Sequence, residues 1–317
     1  MVTPLAARGQ VCGPPPMVRD SPTGRHLAAV HLDLDGARHI YRAHGWRYDP
    51  SDDPLFESGL RGALDLFAQA NVAATLFVVA EDVFDAKKRA LLEEAVKSGH
   101  EIASHSFSHG RLTRLDAAGK RREITESLRC LKSELATDVR GFRAPGFHID
   151  RECLELINEA GYAYDSSMLA EPKRHPALPH RPLAGRPLYE LPLPSAGPFS
   201  FPFHPSYSLV LGNWYFRAGL TDYRRQRTPL VLLFHLTDFA DPLPSGRLRG
   251  VRQRLFTLSH LSAETKRARC LAMLNLVRRH YTIVSTADML AQCTNGDERS
   301  SADWVPNPRK ERMSHER

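Results

Sequence analysis

The sequence has few cysteines, and their positions argue against a disulfide framework. There are five, separated by long intervals and without any CxxC spacing. They are Cys12, Cys130, Cys153, Cys270 and Cys293. An odd number of scattered cysteines favours a reducing compartment, because disulfide-rich secreted domains carry even sets at short spacings.

Long hydrophobic runs are also missing. No stretch approaches the roughly 20 apolar residues that a membrane-spanning helix needs. The N-terminal residues 1–26 are rich in proline and glycine, and they lack the continuous apolar segment of a signal peptide. We therefore expect a protein without a membrane span that stays in the cytoplasm.

The sequence has fewer acidic than basic residues, with 36 Asp and Glu against 43 Lys and Arg. The net charge is +7, and the isoelectric point is near 9.3. Such a balance can indicate binding to nucleic acid or to an anionic surface. The lysines and arginines are scattered, however, with local clusters at 120–122, at 224–227 and in the C-terminal tail. Since no nucleic-acid-binding motif accompanies them, we interpret them as a solvated basic surface and expect no nucleic-acid partner.

Short apolar runs alternate with amphipathic segments from about residue 27 onward. Predicted strands cover residues 28–34, 74–80, 101–104, 138–142, 162–165, 229–235 and 281–285. Predicted helices cover residues 55–70, 86–99, 116–136, 151–161 and about 263–279, with a short last helix ending at Gln292. Alternating strands and helices are typical of parallel β/α units, and about seven units favour a barrel over a small open sheet.

We expect one folded domain of the α/β class, at residues 26–293. Residues 1–25 are predicted to be a disordered lead and residues 294–317 a disordered tail. Residues 171–228 are rich in proline and aromatic side chains. This composition predicts a long excursion over the barrel mouth.

Two motifs carry candidate functional residues. In HLDLDG (31–36), strand alternation places His31, Asp33 and Asp35 on one face. In HSFSH (105–109), two histidines stand four positions apart directly after a predicted strand. If this segment turns helically, both rings project from one side. Taken alone, each motif is equally compatible with caps and surface histidines.

Further polar residues stand where other predicted strands end. Arg143 follows the strand DVRGF, Asp165 ends YAYD, and His235 ends PLVLLFH. In a β/α barrel the C-terminal ends of the strands converge on one mouth, where the active site lies. We therefore expect these residues to meet Asp33 and Asp35 at one site.

Asp35, His105 and His109 form a set of one carboxylate and two imidazoles. Three protein ligands with an open position are typical of a catalytic metal, most often Zn²⁺, although Co²⁺, Ni²⁺ or Mn²⁺ also suit such donors. A metal of this kind lowers the pKa of bound water towards about 7 and polarises a carbonyl group.

The remaining candidates are residues that could transfer protons. Asp33 is free to act as a base, and Arg143 can neutralise and orient that carboxylate. His235, on another strand, is the candidate acid. Three other histidines are expected to be structural: His100, His148 and His204.

The order of these motifs resembles the polysaccharide deacetylase family (the NodB homology domain, carbohydrate esterase family 4). The resemblance covers about residues 27 to 292. The five matching segments are HLDLDG, HEIASHSFSH, GFRAPGF, YDSS and LLFHLTD, which stand where the family has its first to fifth motifs. In this chain Leu34 separates two aspartates that the family most often has adjacent, and the fourth segment lacks the usual tryptophan.

The resemblance implies a distorted (β/α)7 barrel and metal-dependent removal of acetyl groups from sugars. It gives the metal ligands, the base and the acid the same roles as above. It adds that the backbone N–H of Gly146, after Pro145, stabilises the oxyanion together with the metal. It also implies that Asp165 orients His235.

Three functions remain open at this point. The first is a zinc-dependent deacetylase acting on an N-acetylated sugar of a polysaccharide or its precursor, with that carbohydrate as its only expected partner. The second is a deformylase or amidase acting on a small or lipid-linked amino sugar. The third is a catalytically silent barrel that binds glycans. The presence of every ligand, base and acid position favours the first.

Overall fold

A computed structural model describes residues 26–47, 52–170, 177–196 and 201–294. The predicted lead at residues 1–25, with Cys12, lies outside the described residues. So do residues 295–317 of the predicted tail and two short parts of the predicted excursion.

Strands of the described residues form two sheets. They are β1 His26–Asp33, β2 Thr75–Val78, β3 Glu101–Ser104, β4 Val139–Phe142, β5 Tyr164–Asp165, β6 Tyr189–Glu190, β7 Ser195–Ala196, β8 Phe201–Pro202, β9 Leu230–His235 and β10 Tyr281–Ile283. The main sheet has eight strands in the order β10-β1-β2-β3-β4-β5-β6, and β9 also pairs with β1. Every pairing in it is parallel. Strands β7 and β8 form a separate antiparallel pair.

Helices surround the main sheet. They are α1 Ala37–Ala43, α2 Pro54–Ala70, α3 Ala86–Lys97, α4 Ala117–Leu135, α5 Arg151–Ala160, α6 Pro205–Leu211, α7 Asn213–Gln226, α8 Val251–Phe256, α9 Ala263–Arg278 and α10 Thr286–Thr294. None of the described helices combines the length and the apolar character needed to cross a bilayer.

The main sheet curls around β1. Strand β9 pairs with β1 from Ala28 to Asp33, whereas β10 pairs with its beginning and β2 with its end. Within the described residues β6 and β9 are not paired, so the sheet forms a half-barrel that is open between them. This arrangement confirms the predicted distorted α/β barrel with a long excursion, because β7, β8, α6 and α7 all lie in the chain between β6 and β9.

Side-chain alternation along β1 separates two parts of the core. Ala28, Val30 and Leu32 pack in the cluster that contains the apolar face of α2. Leu27 and Ala29 belong to a second cluster, which fills the barrel interior with residues of β2, β5 and β9. His31 and Asp33 share the parity of this interior set, as the period of two predicts.

The sequence predicts the ends of α5 correctly, because capping residues stand at both of them. Asp150 accepts a hydrogen bond from the backbone N–H of Cys153 at 2.9 Å and so caps α5. Gly161 ends that helix with φ of 87°, a conformation that favours glycine. In contrast, α6 and α7 were not predicted. Neither has a side-chain N-cap, and both lie in a segment whose proline content indicates a loop.

Candidate metal centre and active site

The candidate metal ligands converge at the C-terminal ends of β1 and β3. Asp35 follows β1, and His105 follows β3 directly. Oδ1 of Asp35 lies 3.2 Å from Nε2 of His105 and 3.1 Å from Nε2 of His109. One donor atom from each residue lies within 4.8 Å of the other two. The fold therefore brings together all three residues that the sequence suggests as ligands.

The state of these donor atoms fits a divalent metal. Oδ1 of Asp35 and both ring nitrogens of His109 are buried without a well-formed hydrogen bond among the described residues. Buried polar atoms without partners cost free energy, which a cation between them offsets. Two donors about 2.1 Å from a tetrahedral zinc lie about 3.4 Å apart, close to the spacing of Asp35 from both imidazoles.

A loop, and not a helix, brings the two histidines together. Ser106 and His109 adopt positive φ angles of 65° and 61°. Glu123 of α4 holds the loop, since its Oε2 accepts from the backbone N–H of Phe107 at 3.0 Å and of Ser108 at 2.8 Å. The expectation that HSFSH turns helically is therefore wrong. The spacing of four positions works here because the loop folds around a carboxylate from α4.

A backbone hydrogen bond fixes the orientation of His105. Its Nδ1 lies 2.8 Å from the carbonyl oxygen of Arg143. Because a carbonyl only accepts, Nδ1 carries the proton and Nε2 turns its lone pair towards Asp35. Burial alone would raise the pKa of Asp35, but His109 and His105 outweigh that effect and hold it well below its ordinary value. The carboxylate form is the one that binds a metal.

Arg143 is fully buried and binds the candidate base. Its Nη1 donates to Oδ1 of Asp33 at 2.6 Å. Its Nε and Nη2 donate to the carbonyl and hydroxyl oxygens of Ser166, each at 2.8 Å. The guanidinium carbon lies 3.8 Å from the centre of the Phe77 ring. A guanidinium held by this many partners fixes the orientation of the Asp33 carboxylate.

His31 is a site residue to which the sequence assigns no role. Its Nδ1 accepts from Nη2 of Arg143 at 2.7 Å, so Nε2 carries the proton and donates to Oγ1 of Thr286 at 3.0 Å. Burial, and then the charge of Arg143, hold the pKa of His31 well below its usual range. Hydrogen bonds continue from Thr286 to Thr75 at 2.7 Å and from Thr75 to Glu101 at 2.9 Å. This series of hydrogen bonds links Arg143 to Glu101, at the beginning of β3.

His235 ends β9 and faces the candidate base. Its Nε2 lies 3.9 Å from Oδ2 of Asp33, and its Nδ1 lies 3.1 Å from Oγ of Ser206. A reciprocal capping box joins it to Asp238, whose N–H donates to the ring and whose Oδ2 accepts from the His235 N–H at 2.9 Å. Because Nδ1 accepts, the proton of the neutral ring lies on Nε2 and faces Asp33.

Asp165 makes no contact with His235, which corrects the role expected for it. Its carboxylate accepts from the hydroxyl group of Ser167 at 2.7 Å and from the Ser167 N–H at 3.2 Å. It also pairs in register with Glu190 of β6, and burial raises the pKa of both carboxyl groups. The carboxylate of Asp165 is instead engaged by Ser167 and Glu190.

Pro145 and Gly146 lie in a 3₁₀ turn, Pro145–Phe147, that follows β4. Gly146 has φ of 62°, in the region that favours glycine, and a Cβ there would approach the ring of His148 to 3.1 Å. The turn stands at the same end of the barrel as the metal ligands. The oxyanion role of Gly146 stays a prediction.

Residues 48–164 match the family model described as polysaccharide deacetylase. Over this segment, just over a third of its length, the chain is similar to the polysaccharide deacetylase family. The matched segment includes the histidine pair and Arg143. The aspartates that follow β1, and His235, lie outside it, so their roles rest on the geometry described above.

Two curated deacetylases resemble parts of the chain. A chitooligosaccharide deacetylase from Bradyrhizobium sp. (strain ANU 289) is 29% identical over 132 residues, which are 41% of this chain and 56% of that protein. A bifunctional xylanase/deacetylase from Pseudobutyrivibrio xylanivorans is 28% identical over 95 residues, 30% of this chain and 16% of that protein. The chain thus spans about half or less of these relatives.

Solved structures of the family share the fold over most of the chain. One is described as a polysaccharide deacetylase from Mycobacterium smegmatis. It superposes with a TM-score of 0.65 at 17% identity and covers 93% of this chain and 99% of that chain. At this identity the likeness shows the fold alone.

Behind the metal ligands, the protein has a buried network that no sequence motif suggests. The ring of His39, from α1, lies 5.5 Å from that of His109. Nε2 of His39 lies 2.9 Å from Oδ2 of Asp82, whose Oδ1 accepts from Nζ of Lys88 at 2.7 Å. Lys88 also donates to Asp53, the N-cap of α2, at 2.8 Å. The network connects the helices α1, α2 and α3 to the His109 side of the metal centre.

A second unpredicted group lies beneath His235. Oδ1 of Asp238 and Nζ of Lys266 are both buried without a hydrogen bond among the described residues. Burial raises the pKa of Asp238 and lowers that of Lys266 to about 8, although the two opposite charges act against these shifts. His204, expected to be structural, stands with its ring 5.0 Å from that of His235. Burial, and then His235, lower the pKa of His204 well below its usual range.

Proposed function

We propose that this chain is a metal-dependent hydrolase that removes an acetyl group from an N-acetylated sugar of a polysaccharide or of its precursor. One observation carries the proposal. In a chain similar to the polysaccharide deacetylase family, a carboxylate bound to a buried arginine faces a histidine, next to a convergent set of one aspartate and two histidines. The chitooligosaccharide deacetylases among the relatives support an acetylated sugar as the substrate.

Asp35, His105 and His109 would hold the metal. A carboxylate with two imidazoles and an open position suits zinc best among common metals. When bound, the metal supplies a Lewis acid that polarises the amide carbonyl and makes water more acidic. The hydrogen bond from His105 to the Arg143 carbonyl keeps one imidazole oriented for this task.

Asp33 acts as the base. Its Oδ1 is engaged by Arg143, so Oδ2 is left to accept a proton from the attacking water. As the water oxygen bonds to the carbonyl carbon, negative charge develops on the carbonyl oxygen. The N–H of Gly146 is the candidate donor to that oxygen, because the turn it occupies lies at the same end of the barrel.

His235 acts as the acid. Its Nε2 donates a proton to the sugar nitrogen while the carbon–nitrogen bond breaks, which yields acetate and a free amine. The ring gives this proton from its charged state, in which Nδ1 also carries a proton, and it is left neutral with its remaining proton on Nδ1. Since the hydroxyl group of Ser206 can accept as well as donate, it serves both states.

To test this proposal, acetate release from N-acetylglucosamine oligomers is measured for the wild-type protein and for its Asp33→Asn variant, each supplied with zinc. The variant is expected to lose about 10²- to 10⁴-fold in kcat and to keep its metal. The exposed Asp138→Asn is the matched control and should retain full activity. Full activity in Asp33→Asn would contradict the assignment of the base. Formate release from an N-formyl amino sugar, with no acetate release, would instead support the deformylase function.

A further inference from the structure

A basic cavity of about 450 Å³ lies far from the metal centre. Its lining includes four arginines, Arg224, Arg225, Arg227 and Arg279, together with His26, His280 and Thr221. His26 begins β1, whereas Asp33 ends it. At about 3.3 Å per residue, these two ends of the strand are about 23 Å apart. The cavity is therefore separate from the proposed active site.

The arginines of this cavity have no acidic neighbours to neutralise them. Among the described residues, no aspartate or glutamate lines it. Across the described parts of the chain, none of the four forms an ion pair with a carboxylate. Some surface arginines do pair with carboxylates: Arg121 pairs with Glu159 at 3.2 Å, and Arg151 pairs with Glu155 at 3.0 Å. What distinguishes the cavity is that four arginines without such a pair line the same concave surface.

Helix ends supply most of this charge. The RRQR run closes α7, with Arg227 as its C-cap, and Arg279 is the C-cap of α9. Basic residues commonly stand at helix C-termini, where each helix presents about half a negative charge. Two such ends offset about one of the four guanidinium charges. A clear positive excess remains to attract an anion.

We propose that this cavity binds a small ligand that carries a phosphate or diphosphate group. Guanidinium groups bind phosphate oxygens through paired, charge-assisted hydrogen bonds. The cavity is within the range of about 300–1,000 Å³ typical of small-molecule sites. The basic cluster at 224–227 would then bind the anionic group of the ligand and not serve only as a solvated surface.

Calorimetric titration of the full chain with pyrophosphate tests the proposal, and inorganic phosphate forms a second arm. We expect one pyrophosphate per chain, bound more tightly than phosphate because it offers more oxygens to the same arginines. The Arg224→Gln/Arg279→Gln double variant is expected to weaken binding by at least about tenfold. The Arg122→Gln/Arg217→Gln variant is the matched control. It removes two exposed arginines that do not line the cavity, and it should bind as the wild type does.

Two results would overturn the proposal. One is the absence of pyrophosphate binding to the wild-type chain. The other is an equal loss of affinity in the control variant, because this would mean that diffuse net charge, and not the cavity, attracts the anion. If the double variant fails to fold, the exposed single variant Arg225→Glu takes its place, with Arg217→Glu as its control. The proposal is then overturned by an absence of pyrophosphate binding to the wild type, or by an equal loss of affinity in Arg225→Glu and Arg217→Glu.

Discussion

The carbonyl oxygen of Arg143 lies 2.8 Å from Nδ1 of His105, while the guanidinium group of the same arginine lies 2.6 Å from Asp33. One residue therefore orients a candidate metal ligand through its backbone and the candidate base through its side chain. Because the two contacts use different atoms, substitution of the side chain can separate the two functions.

Replacement of Arg143 by methionine should abolish activity and spare metal binding. The substitution leaves the Asp33 carboxylate buried without its partner, so the free energy of unfolding should fall by about 3–5 kcal/mol. The backbone carbonyl that holds His105 remains. Urea denaturation and metal analysis of the same sample check both expectations.

Arg129→Met provides the control for that experiment. Arg129 pairs with Glu126 at the surface, where solvent screens such pairs and they contribute little to stability. A similarly small loss of stability in Arg143→Met would show that the buried pair with Asp33 does not contribute as described.

Removal of the Ser206 hydroxyl group should impair the acid step. In Ser206→Ala, Nδ1 of His235 loses its hydroxyl neighbour and keeps the Asp238 N–H, which cannot accept a hydrogen bond from the charged ring. We expect kcat to fall by about tenfold with little change in KM. Ser206→Thr, which restores a hydroxyl group, should recover kcat. An unchanged kcat in Ser206→Ala would remove Ser206 from the mechanism.

Lys266 should make the protein more stable at high pH. Burial lowers its pKa from 10.5 to about 8, so the unfolded chain binds more protons than the folded one between these values. The free energy of unfolding should therefore rise across this window, by about 3 kcal/mol in total, and be unaffected by this group below it. Denaturation measured at several pH values should show this rise in the wild type.

In Lys266→Met the rise should disappear, while the exposed Lys97→Met should keep it. Since other groups also titrate in this range, the comparison is the difference between each variant and the wild type. Parallel curves for Lys266→Met and the wild type would mean that Lys266 titrates as an ordinary surface lysine.

The sequence predicts the interior face of the site well, because strand alternation is a local rule. His31 and Asp33 lie on one face of β1, and His235 shares the face of Val231 and Leu233 on β9. Parallel pairing then brings these strand ends to the same mouth of the barrel. Such placements need only the period of two and the order of the strands.

Other parts of the site depend on residues that are distant in sequence. The HSFSH loop takes its shape from Glu123 and from positive φ angles at Ser106 and His109, which non-glycine residues seldom adopt. The sequence predicts Asp165 as the partner of His235, whereas in the structure the partner is Asp238. Asp238 stands three positions after His235, at the end of a strand, which is the spacing of a capping box.

Metal analysis of the purified chain tests most directly whether Asp35, His105 and His109 form a metal-binding site. The wild type, supplied with zinc, should contain about one metal ion per chain. The His105→Ala/His109→Ala double variant should contain none, and acetate release should be lost with the metal. A His100→Ala variant, which loses a hydrogen bond from the Ala74 N–H and a ring contact with Phe67, should keep its metal. Equal metal content in the wild type and the double variant, or no metal in either, would contradict the account.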